Sequence, residues 1–537
     1  MSHGCGSDRN CADAVAGSKG HETAVPTPLT RKSMSVTADH STWPANLPRA
    51  VAAMLLIAVL LAFAMAIISD INQVPGRWIG PPDEYLHRAA ARYYLDHWLP
   101  PKVGDPAILD SYSRDYGLSY VNDTDFVVYL FAGKFAALID SVVPNHDLGF
   151  RLFNVLLLGI LAAFCAMRPA AFLIFSPLLL SPQIWYIFSY FNGDAFALFL
   201  SVLIAYQIAE PGSLFNRQLD SPGVWRNFSG AIALGLLVGL LALSKRNYFT
   251  FLAFIPVAAA LFRLGRTSAL LLAASAIVAA GAFLKWYEIP GAQAWLAAAA
   301  ALVLLAILAR PSTRGAHVNA LVKYACVCLV AGAVIVPRVW WDAAQHGSLE
   351  QKQAAINQAQ EELAAPLYKP SRIHSEKRDS YYGLDLRARG VRLRELFGPK
   401  WRWHTNTFVS ATGNYGWLEY SAQGPYYVIM AAGYLTLLAV YVRAVVRSRE
   451  VAVGLGFLFV ATFAALTVAV AIYHSWVNDF QAQGRYLFPI VAMLGMGLQS
   501  VRDKMDPRVV IGVVAGCFAL SVWSFVIIGL RQIPRSF

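Results

Sequence analysis

Two adjacent carboxylates, Asp83 and Glu84, are the first residues of this chain whose types and spacing could do chemistry. They lie in "GPPDEYLHRAAARYY" (80–94), directly after two prolines and close to His87. A carboxylate within hydrogen-bonding reach of a hydroxyl can act as a general base. An acid that precedes a helix-like run can also cap that helix and suit its dipole. These residues alone leave both interpretations open.

A second acidic segment, "NGDA" (192–195), begins an apolar run. Asn192 and Asp194 are residue types that commonly cap helices, so capping is the simpler explanation of their position. The alternative is that Asn192 and Asp194 bind a substrate.

Two adjacent cations, Lys245 and Arg246, lie between apolar runs in "LALSKRNYFTF" (241–251). Alternation of membrane spans puts this short segment on the outer face, where the positive-inside rule disfavours cations. Both residue types suit a phosphate group, which would explain the exception. The alternative is that two long side chains snorkel to the membrane interface.

Two further segments bring amide, aromatic and guanidinium groups to the same face. They are "TGNYGWLEY" (412–420) and "NDFQAQGRYLFPI" (478–490). Such groups can hold sugars and phosphates, although Trp and Tyr also build aromatic belts at membrane interfaces. The candidate binding residues in these segments are Asn414, Tyr415, Trp417, Gln483, Arg485 and Tyr486.

The elements that must position these residues are membrane helices. Of 537 residues, 57% are hydrophobic and only 14% are charged, whereas soluble domains are about 25% charged. Repeated apolar runs of about 18 residues predict an all-α polytopic membrane protein with about thirteen spans and loops on the outer face. The net charge of +12 is explained by cations in cytoplasmic loops, so it does not indicate a nucleic-acid partner.

Apolar run length and loop charge give the boundaries of these spans. Arg31, Lys32 and Arg49 put the N-terminus in the cytoplasm. The spans are 48–71, 151–168, 170–190, 192–209, 228–244, 247–263, 267–285, 292–309, 319–340, 425–446, 451–473, 486–501 and 509–530. The polar segment 1–46 predicts a disordered cytoplasmic tail. A first outer loop (72–148) and a long outer loop (341–424) separate the spans, and 425–537 holds the last helices.

Four short motifs carry a family resemblance. They are "PPDEYLH" (81–87), "NGDA" (192–195), "GNYGWL" (413–418) and "QGRYLFP" (483–489). In order and predicted topology they resemble the GT-C superfamily of membrane glycosyltransferases. They are closest to a bacterial group of uncharacterised membrane proteins with PPDE, NxDA, GNFGWL and QGRYLxP motifs. The resemblance covers about residues 50–530, and it makes 47–340 a GT-C-like module whose first outer loop is catalytic.

The resemblance implies a reaction and a place for it. Such enzymes move a sugar from a polyprenyl-phosphate donor to a glycan, lipid or protein acceptor, usually with inversion. The implied site faces outward from a bacterial inner membrane, with Asp83 as base and Glu84 as a second candidate. His87 joins the binding set, Lys245, Arg246 and Arg485 meet the phosphate, and Tyr415 and Trp417 stack on sugars. A divalent ion, Mg or Mn, is possible at Asp83 and Asp194, since some relatives bind one.

Two other function classes fit a polytopic envelope protein. A flippase or exporter of lipid-linked sugars would place paired charges deep in a central cavity. A non-catalytic scaffold for envelope assembly would need no acid pair facing cations. Either is an alternative to the transferase.

Overall fold

The computed structural model describes residues 43–70, 81–122, 125–220, 227–263, 314–372 and 383–535, and the fold is nearly all-α. The predicted tail up to residue 42 and the predicted spans 267–285 and 292–309 lie outside these ranges. Residues 43–46 belong to the folded part, because Trp43 is buried against Phe172 and donates its indole N–H to the Arg502 carbonyl, 3.1 Å away.

The helices follow the apolar runs in chain order, with a small hairpin of two strands in the long loop. The helices are α1 (Leu47–Ile68), α2 (Glu84–Asp96), α3 (Val127–Ile139), α4 (His146–Met167), α5 (Phe172–Phe175), α6 (Pro182–Ser189), α7 (Gly193–Ala209), α8 (Leu214–Asp220), α9 (Ser229–Ala242), α10 (Phe249–Arg263), α11 (Arg314–His346), α12 (Leu349–Leu363), α13 (Trp403–Thr412), α14 (Gly424–Ser448), α15 (Val451–Val477), α16 (Pro489–Ser500) and α17 (Pro507–Ser524). Strands β1 (Asn414–Tyr415) and β2 (Tyr420–Ser421) pair antiparallel.

Seven helices of the described ranges are long and apolar enough to cross a membrane, or eight if one bent pair counts as a span. This establishes a multi-pass architecture but not the predicted count of thirteen. The predicted spans 228–244 and 486–501 correspond to α9 and α16, of 14 and 12 residues, whereas the predicted span 247–263 corresponds to α10, which reaches the edge of the described range. A full crossing needs about 20 helical residues. Hydropathy alone therefore overestimated the helix length at α9 and α16.

The predicted span 170–190 is a broken element at the centre of the core. Pro169–Leu179 and Pro182–Ser189 meet at an angle of 88°. Pro182 begins α6, where its missing N–H costs no helical hydrogen bond. The Ser181 hydroxyl accepts from the Gln183 N–H and donates to the Ala411 carbonyl. The break thus ties the buried helix α6, and the "NGDA" segment after it, to α13.

The first loop forms a compact layer of α2 and α3 against α4. Gly133 of α3 approaches α2 so closely that a Cβ there would lie 2.8 Å from the Ala91 carbonyl oxygen. The carboxylate of Asp147, in the first turn of α4, accepts from Arg88 at 2.6 Å and from Arg92. With only 13 residues, α3 is too short to cross a membrane. This packing fixes the start of α2, and therefore Asp83, against the bundle.

The long loop packs on the first loop and on the end of α15. Its first residues continue α11 to His346, beyond the predicted end of the span at 340. The Ala365 N–H donates to the Arg114 carbonyl, and the Asp385 N–H donates to the Asn478 carbonyl. These backbone bonds join three distant segments around the predicted "QGRYL" motif.

Candidate functional site

Asp83 pairs with Arg485 instead of capping α2. Arg485 Nη2 donates to Asp83 Oδ2 at 2.9 Å, and the Asp83 side chain keeps 25% of its surface exposed. No side-chain capping bond joins Asp83 to α2. Its backbone is left-handed, with φ +59°, a conformation that is uncommon outside glycine and that Asp tolerates better than most residues. The capping explanation of this acid is therefore wrong for its side chain, although Asp83 does precede the helix.

Glu84 forms a buried ion pair that joins α2 to α4. Its two carboxylate oxygens accept from Nε and Nη2 of Arg151 at 2.7 and 2.6 Å, and Oε1 also accepts from the Phe191 N–H. Glu84 and Arg151 are both buried, and Arg151 also donates to the carbonyls of Ala66 and Ser69. Both oxygens of this buried bidentate pair are bonded, and the Glu84 side chain is only 1% exposed, so the pair is closed to a substrate as it stands. The expected role of Glu84 as a second base does not fit this geometry.

Asn192 is the N-cap of α7, as the simpler explanation predicted. Its Oδ1 accepts from the N–H groups of Asp194 and Ala195, and its amide donates to the carbonyls of Ile187 and Tyr190. All of its hydrogen-bonding capacity at these atoms is spent on the backbone. Asn192 therefore positions Asp194 rather than binding a ligand itself.

Asp194 is fully buried, and among the described residues neither of its carboxylate oxygens has a hydrogen-bond partner. Lys245 Nζ and Arg485 Nε each lie 3.9 Å from its Oδ2. That distance permits electrostatic attraction but is too long for a hydrogen bond. Asp194 therefore lies close to both cations without a hydrogen bond to either.

The two predicted cations differ in position. The Lys245 side chain is 20% exposed and reaches toward Asp194, whereas Arg246 is exposed. Arg485, in the turn Gly484–Leu487, is buried, and its Nε and Nη1 have no partner in the described part of the chain. The close cationic pair at the site is therefore Lys245 with Arg485, not Lys245 with Arg246.

A chain of hydrogen bonds links Arg485 to the first loop. Arg485 Nη2 donates to the Tyr486 hydroxyl at 3.4 Å, and that hydroxyl donates to Gln481 Oε1. Gln481 donates to Asp479 Oδ2 at 2.7 Å, and the Tyr116 hydroxyl donates to the same oxygen at 3.4 Å. Burial raises the pKa of the Asp479 carboxyl above its ordinary value. This chain fixes the Arg485 head against two separate loops.

Gln483 contributes a backbone contact to this turn. Its carbonyl accepts from the Tyr486 N–H at 3.3 Å, and the residue is half-buried. The following Gly484 packs on α13: an added Cβ would lie 2.2 Å from Ala411 Cα. The glycine of the "QGRYL" motif is thus explained by close packing.

His87 lies in an aromatic stack behind Asp83. Its ring is parallel to that of Tyr120, with centroids 4.7 Å apart, and its Nδ1 is 2.8 Å from the Tyr129 hydroxyl. Burial, and then the positive charges of Lys245 and Arg485, hold the pKa of His87 well below its ordinary value. His87 is therefore neutral at pH 7 and serves as a packing partner of the site.

The "GNYGWL" residues lie next to the core, and the two aromatic residues differ in burial. Tyr415 is fully buried, with its hydroxyl 3.0 Å from Ser524 Oγ and its ring edge-on to Tyr186. The ring has no exposed face, so the predicted stacking of Tyr415 on a sugar is not supported by its environment. Trp417 is half-buried. Asn414 donates its side-chain amide to the Leu418 carbonyl at 3.2 Å and shapes the hairpin turn.

The donor set at Asp83 and Asp194 does not fit a resident Mg or Mn site. Within the described ranges, no three His, Cys, Asp or Glu side chains converge on one point. Both carboxylates have cationic partners, Arg485 for Asp83 and Lys245 with Arg485 for Asp194. A divalent ion between them would face two fixed positive charges, which oppose its binding. No step is therefore assigned to a metal.

The structure brings together Asp83, Asp194, Lys245 and Arg485, which come from four segments of the sequence. Three important residues were not predicted. Tyr248 and Asn247 follow Lys245 on its turn, Arg246–Tyr248, and have buried polar atoms without partners among the described residues. Arg151 holds Glu84, and its signal was an arginine at the start of an apolar span, where a charge needs a partner.

Comparisons with protein-family models, with curated proteins and with solved structures found no match for this chain. The arguments about function therefore rest on the geometry of the site, together with the motif resemblance.

Proposed function

We propose that this chain is a membrane glycosyltransferase that moves a sugar from a polyprenyl-phosphate donor to a hydroxyl acceptor outside the cytoplasm. The observation that carries the proposal is the pair of Asp83 and Arg485, with Asp194 and Lys245 beside it. Two carboxylates and two cations, all partly or fully shielded from water, supply the charges that a displacement at a sugar phosphate needs.

Asp83 has the geometry of the base. Its Oδ2 is held by Arg485, while its Oδ1 has no bond to another described residue, and the side chain is the most exposed of the four. The acceptor O–H proton moves to this carboxylate as the acceptor oxygen attacks the anomeric carbon. The bond between that carbon and the phosphate oxygen breaks, so a single displacement inverts the configuration.

Lys245 and Arg485 have the charge for the leaving group. The electron pair of the broken bond stays on the lipid phosphate, whose negative charge grows in the transition state. Fixed cations in a poorly solvated site stabilise such a charge without reorganisation. The two unpartnered donors of Arg485, Nε and Nη1, and the Lys245 ammonium are suited to this role.

A transporter of lipid-linked sugars is the main alternative. It would use charges along a path through the bundle. Three other buried charged contacts among the described residues are Glu84 with Arg151, Arg88 with Asp147, and Asp342 with Arg338 and Lys352, and all are closed by short bonds of 2.5–2.9 Å. They are structural pairs, and this favours a single reacting site over a path.

The purified full-length chain in lipid nanodiscs tests the proposal. It is mixed with polyprenyl phosphates that carry labelled hexoses or pentoses and with envelope lipid and glycan acceptors, with and without a metal chelator. We expect labelled acceptor that depends on the protein and persists in the chelator. Movement of the donor lipid between leaflets without labelled acceptor would contradict the transferase and favour the transporter.

A further inference from the structure

The turn after α9 carries buried polar atoms that the proposed reaction does not use. The Tyr248 hydroxyl is fully buried, and both side-chain amide atoms of Asn247 are buried; none of the three has a partner in the described part of the chain. Buried polar atoms nearly always have a hydrogen-bond partner in native proteins, so each of these unpartnered atoms, called orphans below, needs a ligand or a water as its partner. Here the orphans follow Lys245, a residue of the site.

Asp194 belongs to the same group of atoms. Its two buried oxygens have no hydrogen-bond partner among the described residues. The turn that carries Tyr248 lies beside it, because Lys245 Nζ is 3.9 Å from Asp194 Oδ2 and the Tyr248 N–H donates to the Lys245 carbonyl at 3.1 Å. A carboxylate accepts hydrogen bonds and cannot donate them. The missing partner must therefore supply donors to Asp194.

The chemistry of the orphans discriminates between ligands. A phosphate offers acceptors only, so it suits Lys245 and Arg485 but supplies no donor to the oxygens of Asp194. A metal ion suits Asp194 but leaves the donors of Asn247 and Arg485 unpaired. A hydroxyl donates one bond and accepts two. Neighbouring hydroxyls of a sugar can therefore satisfy Asp194, Tyr248 and Asn247 together.

We propose that Asp194 and Tyr248, with Asn247 on the same turn, form a subsite that binds hydroxyls of the transferred sugar and so selects the donor. This inference rests on the proposed function, because it takes the sugar to be part of the lipid donor. The neighbouring residues have other roles: Lys245 and Arg485 bind the phosphate, and Asp83 binds the acceptor hydroxyl.

The consequence is a preference for sugar-bearing lipid over bare lipid. A site built to bond a hydroxyl rejects an analogue that lacks it, since its own polar groups are then left unpaired. Tyr248→Phe removes one hydroxyl from the chain, and Asn247→Ala removes one amide. Neither variant removes a charge from the site.

The experiment measures the affinity of the full-length protein for two kinds of probe. One is polyprenyl phosphate without sugar, and the others are polyprenyl phosphates carrying a hexose, a pentose or an amino sugar. Wild type should bind at least one sugar-bearing lipid roughly tenfold more tightly than the bare lipid. Tyr248→Phe and Asn247→Ala should bring this ratio close to one, with affinity for the bare lipid within about twofold of wild type.

Tyr441→Phe is the matched control, since Tyr441 is a buried tyrosine of α14 outside the site, and it should keep the wild-type ratio. The proposal is overturned if both site variants keep that ratio, which would mean that the orphans hold only water, or if they weaken both probes equally. A wild type that prefers the sugar-bearing lipid but transfers nothing would contradict the proposed function and leave the subsite supported. A wild type without any preference would overturn the subsite.

Discussion

Arg485 Nη2 donates a 2.9 Å hydrogen bond to Oδ2 of Asp83, a residue 402 positions earlier in the chain. The same guanidinium has its Nε 3.9 Å from Asp194. One cation thus sits between the two acids that the sequence had singled out for separate reasons. It orients Asp83 by a bond and leaves Asp194 unbonded. That asymmetry is the basis of the different roles proposed for the two carboxylates.

Substitution by the amide should lower thermal stability strongly at Glu84 and hardly at all at Asp83. Glu84→Gln leaves the Arg151 charge buried without its counter-ion, and breaking such a pair costs about 3–5 kcal/mol. We expect a large fall in thermal stability and in the yield of folded protein. Asp83→Asn, at a partly exposed carboxylate, should unfold near the wild-type temperature. Thermal unfolding in detergent measures both, and equal stability of the two variants would refute the structural role of Glu84.

The adjacent cations Lys245 and Arg246 should differ in their contribution to phosphate binding. Lys245→Gln removes the ammonium near Asp194 and should weaken binding of bare polyprenyl phosphate roughly 10- to 100-fold, the range of a charge-assisted hydrogen bond. Arg246→Gln, at an exposed position, serves as the comparison and should have a much smaller effect. Affinity measured at two salt concentrations checks this. An equal loss in both variants would show that the site does not distinguish its two cations.

His87 should make stability depend on pH. Its pKa in the folded protein lies well below the ordinary value of 6.5, so the unfolded state binds the proton more readily. The stability contribution is complete above about pH 6.5 and is lost as the pH falls, by at most about 1.4 kcal/mol per pH unit. Unfolding temperatures of wild type and His87→Gln between pH 7.5 and 5 give the test. The wild type should fall more steeply, and parallel curves would mean that His87 is not buried neutral.

Gly484 should not tolerate a side chain. A Cβ at this position would lie 2.2 Å from Ala411 Cα, so α13 and the Arg485 turn must separate. We expect Gly484→Ala to destabilise the protein by about 1–3 kcal/mol or more and to reduce transfer by displacing Arg485. Gly454→Ala in α15 has open space around it and should fold normally. Normal stability of Gly484→Ala would contradict the close packing.

The sequence predicted the positions of the long helices better than it predicted helix breaks and side-chain contacts. Long apolar runs identified α1, α4, α11, α14 and α15, because run length is a local property. The break at Pro182 and the short helix after Pro489 were read as full spans, since a hydropathy window averages across a bend. Nothing local could show that Asp194 would be buried without a bond.

The sequence predicted which residues of the site come together, but not the environment of each. The predicted topology put Asp83, Asp194, Lys245 and Arg485 on one face, and these four side chains do lie within 4 Å of a partner in the same group. Nothing local indicated that Glu84, predicted as a second base, and Tyr415, predicted to stack on a sugar, would be buried, because their partners, Arg151 and Ser524, lie 67 and 109 positions away. Such pairings depend on tertiary packing, which a single sequence does not reveal.

The central claim is that the Asp83 carboxylate takes the proton of the acceptor hydroxyl. The most direct test is the rate of sugar transfer by Asp83→Asn, with Asp110→Asn, an exposed acid of the same loop, as its matched control. We expect Asp83→Asn to fold and to bind donor lipid but to transfer roughly 100- to 10,000-fold more slowly than wild type, and Asp110→Asn to transfer normally. Transfer by Asp83→Asn at the wild-type rate would contradict the account.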